Sequence, residues 1–279
     1  KILLRNSLDQ CGQFMRCKVI MGKCQQVRGS LDGQANSTKE RFWELDVLRG
    51  LAVLSMIGLH LLADMDYLKI PVRYNHRIWN VAQTLTAGQF LLLAGVSLAL
   101  GSARLGPAGD RRALLKKQLH RGAGLFAWGM LITFVTKGVM GEGYVVFGVL
   151  HLIGFCILLS YPLLGRTWFN LGLGLALIGA GIYVGRWRVV CPWLLWLGVI
   201  PAGFHSVDYF PVLPWAGPVI LGIFLGHLGY PDHVRRFPLP DRPKGRVVRG
   251  LGWLGRHSFV IYLVHQPVLL LLLKVLTGQ

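Results

Sequence analysis

Seven stretches of this chain are apolar over enough residues to cross a bilayer as helices, about 30 Å of hydrocarbon at roughly 17 to 25 residues each. They lie near residues 46 to 64, 81 to 101, 121 to 138, 144 to 164, 168 to 185, 212 to 229 and 256 to 275. An eighth apolar stretch, Val189 to Phe204, is short and carries Pro192 and Pro201. Proline removes a helical hydrogen bond, so this stretch is read as a re-entrant or interfacial element. The pattern predicts an all-α, polytopic membrane helix bundle of seven spans with one short non-spanning segment.

Composition agrees with the pattern. Of the 279 residues, 53% are hydrophobic and 15% charged, and the mean hydropathy is +0.49. No water-soluble core of this size hides that much apolar surface. The formal net charge of +18 would suggest nucleic acid in a soluble protein, but here Lys and Arg fall in blocks between the apolar runs. Nucleic acid is therefore not an expected partner; the lipid bilayer is. Three blocks hold most of the basic charge: the tail up to Arg41; Arg104, Arg111, Arg112, Lys116, Lys117 and Arg121; and Arg235 to Arg256. Seven spans put all three on one side, which the positive-inside rule makes cytoplasmic, with the N-terminus in and the C-terminus out.

Residues 1 to 40 differ in kind. They are polar and basic and lack the apolar core of a signal peptide, so they read as a disordered extension ahead of a transmembrane domain over 41 to 279. Cys11, Cys17 and Cys24 match no zinc spacing well and read as reduced thiols, while Cys156 and Cys191 read as small apolar packers. The 36 glycines suit close helix packing.

Polar groups inside the apolar runs are the candidates for chemistry, because such groups are costly in lipid and generally functional. Asp46 and Arg49 are three apart on the first helix, where they can pair, and Gly50 leaves room for a neighbouring backbone. His60 and Asp64 are four apart, so the carboxylate could hold the imidazole. His76 stands in an outer loop before Trp79 and Asn80, an arrangement open to a base, an orienting amide and an aromatic wall, or to plain surface. His151 lies in the fourth run, as a structural hydrogen-bonding residue or part of a pathway. Asp208 and Tyr209 precede the sixth run beside Trp215. Ser258, Tyr262 and His265 share one face of the last helix, with Gln266 beside them. Arg256 and His257 at its cytoplasmic end could meet a phosphate or anchor the helix. No P-loop, G-x-G-x-x-G, H-E-x-x-H or G-x-S-x-G occurs, which argues against several enzyme classes but not against an acyltransferase.

Six ordered blocks between Arg41 and Pro267 carry a resemblance: R-x-x-x-x-D-V-L-R-G, H-x-x-W-N, F-L-L-L-A-G-V-S-L, F-G-V-L-H-L-I-G, D-Y-F-P-V-L-P-W and L-G-R-H-S-x-x-I-Y-L-V-H-Q-P. Together they resemble the membrane domain of heparan-alpha-glucosaminide N-acetyltransferase and its short bacterial relatives. The resemblance implies an integral protein of a bacterial inner membrane that moves an acetyl group from cytoplasmic acetyl-CoA, a co-substrate, to an amino sugar on the other side, with no metal. It maps the family's catalytic His onto His76, as general base or acetyl carrier, with Asn80 positioning substrate or oxyanion. The chain is too short to hold a domain for a long polysaccharide, so a small envelope amino sugar, or another amine or hydroxyl, is the expected acceptor. A homodimer is compatible with this reading. Two other classes stay open: a proton-coupled transporter of a small solute or acylated lipid, and a non-catalytic membrane scaffold.

Overall fold

The computed structural model describes residues 41–103, 111–187, 192–240 and 245–278. Eight α-helices follow one another among them: α1 Trp43–Tyr67, α2 His76–Ala103, α3 Arg111–Met140, α4 Val149–Leu159, α5 Thr167–Val184, α6 Val212–Gly229, α7 Arg246–Arg256 and α8 Ser258–Thr277. Six of them, all but α4 and α7, are long and apolar enough to cross a membrane. The chain is thus a polytopic helical bundle, as its hydropathy predicts. The outward faces of α3 and α8, with Phe134, Val135, Leu271 and Val275 more than half exposed, suit contact with lipid.

The span expected over 144 to 164 is different. Only Val149–Leu159, 11 residues, is α-helical there, about 16 Å long at 1.5 Å per residue. Its start is fixed by pairing that a longer helix would forbid. Phe210 N–H donates to the Phe147 carbonyl at 2.7 Å and Val207 N–H to the Gly143 carbonyl at 2.9 Å, which makes a parallel bridge between Phe147 and Tyr209. Irregular backbone survives in an apolar bundle only where protein groups satisfy it, and these bonds do so. At the other end a 3-10 turn, Tyr161–Leu163, with Pro162 inside it, closes the helix.

Although short, α4 is central. Leu152, Ile153, Cys156 and Ile157 pack with Leu91, Leu98 and Ala99 of α2 and with Ala216, Val219 and Ile223 of α6. A helix that is apolar all round belongs in such a place. Cys156 is buried there as a free thiol, the packing role expected of it.

The basic stretch from Arg235 to Arg256, expected to be a loop, contains α7, and the last span begins at Ser258 after the single residue His257. α7 lies against α1 through glycines: a Cβ on Gly50 would overlap the Leu251 carbonyl, and one on Gly255 the Asp46 carbonyl. The neighbouring backbone that Gly50 makes room for is therefore α7. Backbone oxygens cannot swing aside, so Gly255→Val should lower the thermal midpoint of the detergent-solubilised protein, by an overpacking cost of about 1–3 kcal/mol. The exposed Gly250, with nothing near its Cβ, supplies the control: Gly250→Ala should leave the midpoint unchanged or raise it.

The start of α1 is tied to the segment after α6. Arg235 pairs with Glu44 at 2.9 Å, the Tyr230 hydroxyl donates to Glu44 at 3.1 Å, and Trp43 Nε1 donates to the Pro240 carbonyl at 2.9 Å. Of the stretch Val189 to Phe204, the described part holds a 3-10 helix, Pro192–Leu197, of 6 residues, about 12 Å long and too short to span. The extension over 1 to 40, with its three cysteines, and Cys191 lie outside the described residues.

Candidate active site

Two helices bring four of the candidate residues together. His60 and Asp64 share one face of α1 by their spacing, and His265 and Gln266 meet them from α8. Gln266 Nε2 donates to Asp64 Oδ1 at 2.6 Å, and the His265 ring stands edge-on to His60 with centroids 4.9 Å apart. Asp64 was expected to hold His60; it is turned to Gln266 instead, because α8 crosses α1 at this level. Asp64 is 5% exposed and His265 9%.

The state of His265 follows from its partner. His265 Nδ1 lies 2.6 Å from the Tyr262 carbonyl. A carbonyl only accepts, so the proton sits on Nδ1 and the lone pair stays on Nε2. That Nε2, together with Asp64 Oδ2 and Gln266 Oε1, is buried without a partner among the described residues. Buried polar atoms are almost always paired, and here three open acceptors occur in one cluster. Such a cluster suits a guest that donates, an amine, amide N–H or hydroxyl, next to an imidazole free to take a proton.

One turn before His265 along α8, the Tyr262 hydroxyl donates to Asp208 Oδ2 at 3.3 Å. Asp208 also accepts from the backbone N–H of Val149, and Gly148 leaves room for its carboxylate, which any side chain would strike. The Asp thus caps α4, where the helix dipole favours negative charge. Burial nonetheless pushes its carboxyl up to about 6, against the opposing pull of the Val149 and Tyr262 bonds. The native chain therefore holds this proton more tightly than an unfolded one does. Stability should fall as pH rises from about 4 to about 6 and level off above, by about 3 kcal/mol for two pKa units. Thermal midpoints measured across that window should show the fall in the wild type and lose it in Asp208→Asn. Tyr209 beside it is held by its neighbours: its hydroxyl donates to the Leu195 carbonyl at 2.6 Å and its ring packs on Phe204 at 5.0 Å.

His76, expected in a loop, is the first residue of α2. Asn75 starts that helix by accepting from the N–H groups of Arg77 at 2.9 Å and Ile78 at 3.3 Å, an N-cap of the usual kind. The Tyr74 ring lies 5.2 Å from His76 and 4.9 Å from Trp79, and its hydroxyl donates to Asp66 at 3.3 Å. His76 and Asn80 are exposed and one turn apart, so they share a face. Only the eight non-helical residues 68–75 join Tyr67 to His76, so His76 sits at the same end of the bundle as Asp64. The molecule thus carries an exposed imidazole at that end and a buried one within.

The remaining candidates fall elsewhere. Asp46 and Arg49 pair at 2.8 Å, and Arg49 also donates to Ser97 of α2 at 2.5 Å. His151 lies away from this cluster: its Nδ1 accepts the Gly148 N–H at 3.1 Å, its Nε2 lies 3.4 Å from Thr133, and its ring sits between Phe126 and Phe147. Arg256 and His257 are exposed at the α7–α8 junction, with His257 Nδ1 2.9 Å from the Trp253 carbonyl. Ser258 opens α8 one turn before Tyr262. Sequence reasoning missed Glu44, Tyr74, Asn75, Ser97, Tyr230 and Arg235. Of these, Asn75 was detectable as a cap residue before a helix and Ser97 as a hydroxyl inside a span; Arg235 is indistinct within its basic run.

A family model described as heparan-alpha-glucosaminide N-acetyltransferase, catalytic, matches residues 41–267. No curated protein and no solved structure matches the chain.

Proposed function

Since the chain belongs to the heparan-alpha-glucosaminide N-acetyltransferase catalytic family, we propose that it acetylates an amino sugar, or a similar small amine, with acetyl-CoA that enters from the opposite, cytoplasmic side of the membrane. Family membership supports a membrane acetyltransferase-like function; the donor, the acceptor and the direction of transfer belong to the proposal. In the reaction the amine nitrogen attacks the thioester carbonyl carbon. The C–N bond forms, the C–S bond breaks, coenzyme A leaves as a thiolate that takes up a proton, and the ammonium proton of the new amide passes to a base.

His76 is that base. It is exposed at the end where the acceptor arrives, with Asn80 one turn on to orient the acceptor or the developing oxyanion. The buried cluster of His60, Asp64, His265 and Gln266 holds the donor: its three open acceptors suit the amide N–H groups of an acyl-CoA arm. The observation that carries the reading is this cluster of unpaired acceptors around an imidazole with a free Nε2. An ion pair or a packing residue would leave no such openings.

The test is coenzyme A release by the full chain in lipid vesicles, with acetyl-CoA and a panel of glucosamine-containing acceptors. An acetylated product formed in proportion to coenzyme A supports the proposal. Absence of both turnover and acetyl-CoA binding would remove it.

A further inference from the structure

α7 has a face that the acetyl-transfer reading does not use. At 100° per residue, Arg246, Arg249, Trp253 and Arg256 are spaced three, four and three apart and form one stripe. All four are exposed, and the Trp253 ring, 53% exposed, has the His257 ring 4.5 Å away. Gly255, 180° round the helix from Arg246, is buried and packs on α1 through the close backbone contacts at Gly50 and Gly255. The basic stripe therefore faces away from the protein. From Gly245 to the C-terminus the sequence contains no Asp or Glu, so no acidic group of this segment neutralises it.

We propose that this face of α7 docks on the anionic phospholipid headgroups of the adjoining leaflet. Three observations select that occupant. α7 is joined through the single residue His257 to α8, a membrane-spanning helix, which fixes it at a membrane boundary. The arginines run along about 15 Å of helix, ten residues at 1.5 Å each; a single small anion is held by convergent groups, whereas a row matches a surface. Trp253 on the stripe supplies the aromatic contact of an interfacial helix, whose arginines reach the phosphates.

The experiment is native mass spectrometry of the detergent-purified full chain titrated with phosphatidylglycerol or phosphatidylcholine, which reads lipid binding without any acyl-transfer activity. The wild type should retain phosphatidylglycerol in preference. Arg246→Gln with Arg249→Gln should weaken that binding about 25-fold, at about fivefold for each arginine near an anionic surface. The corresponding Lys variants should keep most of it. A second measurement needs no variant: raising salt from about 0.1 to 1 M shortens the screening length from about 10 to 3 Å and should abolish the preference. Equal retention of the two lipids by the wild type, a salt-insensitive preference, or competition by inorganic pyrophosphate at equal concentration would each overturn the proposal.

Discussion

Acetyl transfer by the His76→Ala protein is expected to fall about 10²–10⁴-fold, the range over which a positioned general base acts. The loss should appear in kcat, with acetyl-CoA affinity unchanged, because the donor is assigned to a separate, buried cluster. His76 is exposed and its neighbours are the Tyr74 ring and a helix cap supplied by Asn75, so alanine should leave expression and thermal midpoint as they are. A wild-type rate in His76→Ala vesicles would remove the surface base from the mechanism. Solute uptake that survives this substitution but fails on changes at α1 and α8 would favour the transporter.

The helical class was legible because apolar length is a property of sequence alone: six of the seven expected spans correspond to long apolar helices. The seventh was overread for a physical reason. Residues 144 to 164 are apolar whether or not they are helical, and hydropathy does not register that Gly143 and Phe147 give their carbonyls to Val207 and Phe210, 64 and 63 residues away. α7 escaped for the opposite reason: its charge dominates its composition, and only its spacing shows a helix with a glycine face. For the polar groups, spacing within one helix found real neighbours in Asp46 and Arg49 but misassigned Asp64. Its partner Gln266 is 202 residues distant, and no local pattern favours it over His60. The cap of α4 by Asp208 was likewise out of reach, because it depends on a backbone N–H about 60 residues earlier in the chain.

His265→Asn should cut acetyl transfer at subsaturating acetyl-CoA by about 5- to 150-fold while keeping the fold, because of which nitrogen carries the proton. The Asn amide can still donate to the Tyr262 carbonyl as Nδ1–H does now, so the bond within α8 survives. The unpaired basic nitrogen does not. If the buried cluster holds an acyl-CoA arm by accepting its N–H groups, losing one acceptor should weaken donor binding by about 1–3 kcal/mol, the cost of leaving a buried partner unpaired, or roughly 5- to 150-fold in acetyl-CoA affinity. The effect should therefore fall on KM for acetyl-CoA, opposite in kind to that of His76→Ala. Asp64→Asn offers a graded comparison: its carbonyl oxygen can still accept from Gln266, so the α1–α8 contact remains while the negative charge is lost. Titration of each variant with acetyl-CoA by calorimetry, in parallel with turnover, resolves the two sites. Unchanged affinity together with a loss confined to kcat in His265→Asn would move the proton-transfer role from His76 into the buried cluster.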